Sequence, residues 1–304
     1  MFFNKNKNQP PKQYAPFDLE TPLFYLSKND AWTIGDACEG TQIFGATGSG
    51  KTSGSGKSIA KAFLNAGYGG LVLTAKTDER QTWIDYCTEC GCLEHLFIVS
   101  PQSGFTFNFL DYELHRPGAG AGLTENLVNL FFNVLEIAEQ KSGGSSDPYW
   151  ERATKQLLRN TIDLLSIAQG SVSMTDMYQV ITTAPLHYED VQDTEWAKRS
   201  FCYQLIAKAQ KADLSHSRKM DLDFTIRYWL NEFPNISDRT RSIIVSSFTS
   251  MADCFLRGML RDMFCTTTNF VPELTHKGGI ILIDLPVKEY GQLGQFAQVI
   301  FKYI

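Results

Sequence analysis

Short apolar runs alternate with amphipathic stretches along the first third of the chain. AWTIGDA (31–37) and TQIFGA (41–46) read as strands. A helix is expected from Gly50 to about Ala66. Ile59, Ala60, Phe63 and Leu64 share one of its faces, and Gly67 supplies a stop. GGLVLTAK reads as a strand, Asp78–Cys90 as a helix, and HLFIVSP and TFNFLD as two further strands. Several of these strands are almost wholly apolar. Such strands, alternating with helices, predict an α/β domain with a largely parallel sheet covered on both faces.

The character changes after the breaker segment ELHRPGAGAG (113–122). Leu123, Leu127, Leu130, Phe131, Val134 and Leu135 repeat at helical spacing. In the next helix Asp147 is the expected N-cap, Pro148 the first position and Gly170 the end. Further helices are expected over 174–182, 194–212, 221–232 and 238–263, with no strand between them. GGIILIDLP then restores a buried-type strand. An amphipathic helix follows, with Leu293, Phe296, Ala297, Ile300, Phe301 and Ile304 on one face.

The expected layout is an N-terminal arm (1–31, polar and holding four prolines), the first part of an α/β domain (32–112), an all-helical insertion (113–268) and a return to the α/β domain (269–304). GGIILIDLP should lie beside the strands of 32–112, because a connection of this size is too long for a loop and must be a packed unit. The last helix carries no stop signal and the sequence ends on its apolar face. The α/β domain is therefore expected to continue past Ile304.

Composition narrows the classes. The 304 residues are 43% hydrophobic and 20% charged, which excludes a mainly disordered chain and a small disulfide scaffold. Lys plus Arg total 28 against 33 Asp plus Glu, a net charge of −5. A histone-like binder is excluded; a local basic patch is not. Even Leu127–Leu135 and Gly279–Leu285 fall far short of the roughly 20 residues of a membrane span. The N-terminus lacks the apolar run of a secretory signal. Seven cysteines, an odd number, without such a signal fit a reducing, cytoplasmic setting.

Gly45-Ala46-Thr47-Gly48-Ser49-Gly50-Lys51-Thr52 fits the phosphate-loop pattern G-x-x-x-x-G-K-[ST]. Its glycines let successive N–H groups turn toward phosphate oxygens. Lys51 would bridge the β- and γ-phosphates of ATP, Thr52 would place its hydroxyl on Mg²⁺, and Ser53 completes the nucleotide-binding stretch. The helix that follows adds the positive end of its dipole. Gly56-Lys57-Ser58 is not a second phosphate loop, because the leading glycine it needs would fall at Lys51. Gly54 and Gly56 instead occupy the first turns of the helix, at about 1 kcal/mol each relative to Ala. Such an ATPase also needs an acid on a buried strand for Mg²⁺. Ile280–Asp284 looks like that strand, yet Leu285 and Pro286 follow, where a Glu would be usual. Either Asp284 is the metal acid, or, as expected here, the acidic strand lies beyond Ile304.

Taken together, FGATGSGKTSGSGKS, LVLTAKTDE, RTRSIIVSSFTSMAD and GGIILIDLP resemble the nucleotide-binding domain of type IV secretion coupling proteins. These belong to the FtsK/HerA-like superfamily of DNA-pumping ATPases. The resemblance covers about 32–304. It implies a RecA-like P-loop domain interrupted by an all-helical domain, ATP hydrolysis with Mg²⁺, and a homo-oligomeric ring, a hexamer, that moves DNA. It also implies partners from secretion, conjugation or defence systems, and association with the inner membrane through them. The family typically carries Asp-x-Lys-Gly-Glu on the strand after its phosphate loop. Here Lys76 matches the Lys, Thr74 replaces the Asp, and Thr77-Asp78-Glu79 departs from Gly-Glu. In the family the Asp-Glu strand comes one strand after the GGIILIDLP segment. Coupling proteins usually begin with transmembrane helices, and this chain shows none.

Weaker constellations remain. Cys87, Cys90, Cys92 and His95 are of zinc-ligand types, but their spacing is not that of a zinc knuckle. Cys87 and Cys90 also suit small core positions of a helix. Arg239 and Arg241 flank Thr240 after Pro234. In ring ATPases an arginine of one subunit reaches the γ-phosphate of the next, so both join Lys51 and Thr52 as catalytic candidates; a salt-bridged helix face is the other reading. Arg257 and Arg261, four apart, could touch a DNA backbone from one helix face or simply be solvated. The five histidines form no triad, and no G-x-S-x-G elbow is present. A second function stays open: a nucleotide-gated interaction module that hydrolyses ATP poorly and recognises a protein partner through its helical domain.

Overall fold

The computed structural model describes residues 18–139 and 148–304. Asp147 and most of the expected arm lie outside the described residues. Across the end of that arm, β1 (Pro22–Ser27) pairs antiparallel with β2 (Asp30–Thr33). The strand expected over 31–37 stops at Thr33 because Thr33 opens α1 (Ile34–Cys38) with a capping box. Its Oγ1 accepts from the Asp36 N–H at 3.2 Å, and the Asp36 carboxylate accepts from the Thr33 N–H at 2.8 Å. These bonds also hold the Asp36 carboxyl below its usual pKa.

The strand expected over 41–46 does not form. Residues 40–46 have no regular structure, and Phe44 is 83% exposed. Ile43 and Phe44 are the large apolar side chains of that run, too few to hold it down without a pairing partner. After the phosphate-loop motif comes α2 (Lys57–Asn65), whose Phe63 meets Trp32 of the hairpin edge-on at 5.9 Å. Then follow β3 (Gly70–Leu73), α3 (Glu79–Glu89) and β4 (Leu96–Val99).

TFNFLD is not a strand either. Asn108 caps α4 (Phe109–His115), its side chain accepting from the Asp111 N–H. Residues 105–108 nevertheless run beside 263–269. The Phe107 N–H donates to Met263 O at 2.7 Å, and the Asn269 N–H to Thr106 O at 3.0 Å. The helical stretch contains α5 (Thr124–Glu139), α6 (Pro148–Gln169), α7 (Met174–Thr182), α8 (Thr194–Arg199) and α9 (Phe201–Ala209). It continues with α10 (His216–Arg227), α11 (Asp238–Leu256) and α12 (Gly258–Phe264). Two expected helices are each broken in two. Ser200 ends α8 and caps α9, its hydroxyl accepting from the Tyr203 N–H while donating to Thr183 O at 2.7 Å. The other break falls at Arg257–Gly258. The helix expected over 221–232 starts earlier, at His216, and widens to a π-turn over Tyr228–Glu232.

Pro148 opens α6, and Gly170 follows its end at a φ of +69°. Leu157, Leu158, Ile162, Leu164 and Leu165 are fully buried on it. Those positions share one broad face of the helix, and α5, α7, α9, α10 and α11 all pack on α6, which makes it the centre of the helical body.

The chain returns as β5 (Ile280–Ile283), then α13 (Val287–Tyr290) and α14 (Gln292–Tyr303). β5 inserts between the earlier strands, giving a small parallel sheet of order β3-β5-β4. All four β5 residues are buried, as a central strand requires. β3 lies at an edge and leaves Leu71 and Leu73 partly exposed. The result is an α/β protein that is mostly helical. It divides into two compact units: residues up to Leu71 with Asp78–Phe97 and Leu274–Ile281, and Val72–Thr77 with Ile98–Glu273 and Leu282–Ile304. Each strand of the parallel sheet has residues in both. Among the described residues no helix is long and apolar enough to cross a membrane.

In the second unit Phe107, Phe270 and Phe301 form a triangle with ring centroids 5.1–5.7 Å apart. Phe107 is fully buried there. Phe107→Ala should lower unfolding stability by about 3–5 kcal/mol, as removal of a buried ring does. Denaturant titration checks this; a loss below about 1 kcal/mol would mean the triangle can collapse on itself.

Candidate phosphate-binding site

Gly45–Ser53 belongs to the first unit and is largely exposed. Gly48 and Gly50 adopt left-handed backbone, at φ +78° and +81°. A side chain would strain both positions. Between them the Ser49 N–H donates to Ala46 O at 3.1 Å and closes a turn. The loop wraps the Lys51 side chain: its ammonium donates to Gly45 O at 2.6 Å and to Ala46 O at 2.8 Å. Among the described residues, the N–H groups of Gly48, Gly50 and Lys51 donate to no protein acceptor.

The helix expected from Gly50 begins instead as a π-turn over Thr52–Gly56, before α2. The Gly56 N–H reaches back to Lys51 O at 2.8 Å. A Cβ on Gly56 would stand 2.9 Å from that same carbonyl, which accounts for this glycine. Nothing lies near a Cβ on Gly54, and the structure does not explain it. Lys57, the lysine of the second GKS, lies 3.8 Å from Glu89 of α3. Lys61 pairs with the same carboxylate, and both ammonium groups sit over the Tyr86 ring, at 5.6 and 5.7 Å. These two lysines tie α2 to α3.

Thr74, where the coupling proteins this chain resembles carry Asp, is buried. Its hydroxyl donates to Ile283 O at 2.8 Å, and Gln298 donates to Thr74 O at 2.6 Å. An ionised Asp has no proton to give to that carbonyl, so the threonine here ties β3 to β5. Lys76 is exposed. Asp284 follows β5, and its N–H donates to Val99 O at 2.9 Å. Leu285, next in line, is fully buried.

Both arginine candidates belong to the second unit. Arg239 is exposed. Arg241 is buried, donating to Pro234 O at 3.2 Å and Ile236 O at 2.9 Å and pairing with Asp238. Its fork closes the turn that leads into α11, a role with no sequence signal beyond the Asp-x-x-Arg spacing. Arg257 pairs with Asp253 at 2.9 Å and Arg261 with Asp262 at 2.7 Å, all on the surface. Among the described residues no group of three or more His, Cys, Asp or Glu side chains is gathered to hold a metal ion.

Comparison with protein-family models, with curated proteins and with solved structures finds no match to this chain.

The geometry of Arg241 generates a test. Arg241→Ala leaves two carbonyls of the turn without their donor, and should cost about 1–3 kcal/mol of stability in thermal or denaturant unfolding. An unfolding midpoint equal to wild type would show that the guanidinium is dispensable to the turn.

Proposed function

We propose that this chain binds ATP with Mg²⁺ through residues 45–53, and that ATP hydrolysis by a RecA-like ring, a hexamer, moves DNA, as in the coupling proteins it resembles. The observation that carries nucleotide binding is the loop itself. A lysine clasped by the carbonyls of Gly45 and Ala46 shares its loop with the N–H groups of Gly48, Gly50 and Lys51, which have no protein acceptor among the described residues. Those groups can donate to phosphate oxygens. The Lys51 ammonium has three protons and two carbonyl acceptors, so one proton remains for an anion. Thr52, exposed, would offer its hydroxyl to Mg²⁺, which neutralises charge on the phosphates when bound. The ring, the DNA and the secretion, conjugation or defence setting rest on the sequence resemblance alone.

The second reading, a nucleotide-gated interaction module, draws on one observation. Asp284 is followed by the buried Leu285, so no second carboxylate stands there to orient a water. DNA-stimulated ATP turnover would favour the motor, and its absence alongside tight ATP binding would favour the module.

Lys51→Ala should weaken ATP binding at least tenfold by isothermal titration, about 1.4 kcal/mol or more. Unchanged affinity in a folded variant would overturn the phosphate-loop assignment. Asp284→Asn should leave Mg²⁺-dependent ATP affinity within about twofold in the same titration. A lost Mg²⁺ dependence would instead make Asp284 the metal acid.

A further inference from the structure

Helix α3 ends in a Schellman motif, and that motif brings two thiols together. Gly91, at φ +70°, is the left-handed residue just past the helix. The Cys92 N–H donates to Cys87 O at 2.9 Å, and the Gly91 N–H to Thr88 O at 3.2 Å. This bond pair defines the motif, in which the side chain after the reversal folds back onto the last helical turn. The two residues that meet are usually apolar; here both are cysteines. Cys87 is fully buried and Cys92 partly exposed. Burial, the nearby Cys92 and its hydrogen bond, and the charge of Cys90 push the Cys87 thiol up to about 12. The same backbone bond keeps the two residues close, and a disulfide needs Cα atoms roughly 4.4–6.8 Å apart. Cys90 is placed differently. It follows Cys87 by three residues on the same helix face and acts on its thiol through charge, whereas Cys92 also hydrogen-bonds that thiol.

We propose that Cys87 and Cys92 are a redox-modification site, a dithiol that closes to a disulfide across the end of α3. The oxidant is a small-molecule disulfide. The accessible Cys92 thiolate attacks one of its sulfurs, forms a mixed disulfide and expels a thiolate. Cys87, deprotonating as it attacks, then displaces the second thiolate from Cys92. The sulfurs of Cys87 and Cys92 are oxidised, the small disulfide is reduced to two thiols, and those thiols carry away both protons. Excess small thiol reverses the sequence. Glu89, the partner of Lys57 and Lys61, lies inside the closed loop.

The test uses the full chain with oxidised glutathione as probe. Remaining thiols are blocked with N-ethylmaleimide, and the chain is cut without reduction by a protease that cleaves after Glu. Cleavage after Glu89 and Glu94 puts Cys87 on one peptide and Cys90 with Cys92 on the next. In Cys90→Ser the two peptides should stay joined, keep no glutathione, and separate on adding dithiothreitol. In Cys92→Ser they should not be joined. Fragmentation of the joined peptides from the unsubstituted chain assigns the bonded sulfur without relying on either variant. Glutathione or maleimide retained on Cys92, with Cys87 free, would overturn the proposal. So would a link that persists in Cys92→Ser, because it would run through Cys90.

Discussion

The sheet depends on β5 arriving between two strands that come much earlier in the chain. β3 and β4 are neighbours in sequence but not in space; the strand between them comes from residues 280–283. A four-residue strand makes few ladder bonds, and further ties hold it. Thr74 donates to Ile283 O, the Asp284 N–H donates to Val99 O, and Gln298 of α14 donates to Thr74 O. The insertion also requires that whatever lies between β4 and β5 return to its starting point. The helical body meets that demand with its own core around α6. Its entry at 105–108 is bonded to its exit at 263–269.

Much of this was legible in the sequence, and most of the failures share a cause. Long helices announced themselves by period, and β5 by an unbroken apolar run bounded by glycines and a proline. Strand ends were misread where a short polar side chain starts a helix. Thr33-x-x-Asp36 is a capping signal lying inside an apolar run, and Asn108 caps α4 in the middle of TFNFLD. Ser200 and Gly258 likewise carried the signs of the breaks they make. TQIFGA failed for a different reason. An apolar run becomes a strand only when another strand pairs with it, and pairing is a long-range property that local pattern does not hold.

The phosphate-loop motif shows the same division. Its residue types and spacing were readable, and so was the need for glycine at positions 48 and 50. The π-turn at Thr52–Gly56 was not, because it depends on how closely the Lys51 carbonyl approaches Gly56. Thr74 looked like a departure from a family pattern until its buried hydroxyl was seen to need a proton to give. Arg241 read as a catalytic candidate or part of a salt-bridged face, and its guanidinium is used within its own turn.

The clasp on Lys51 has an entropic consequence. A lysine free to rotate loses roughly 1.5–2 kcal/mol of side-chain freedom when it is fixed. Lys51 is fixed already by the Gly45 and Ala46 carbonyls, so that loss belongs to folding. On the proposed reading, a phosphate arriving at the loop would meet a cation that need not be ordered first. Affinity should then be sensitive to the stiffness of the Gly45–Ala46 backbone. A change that lets those carbonyls swing away would weaken anion binding while leaving every positive charge in place.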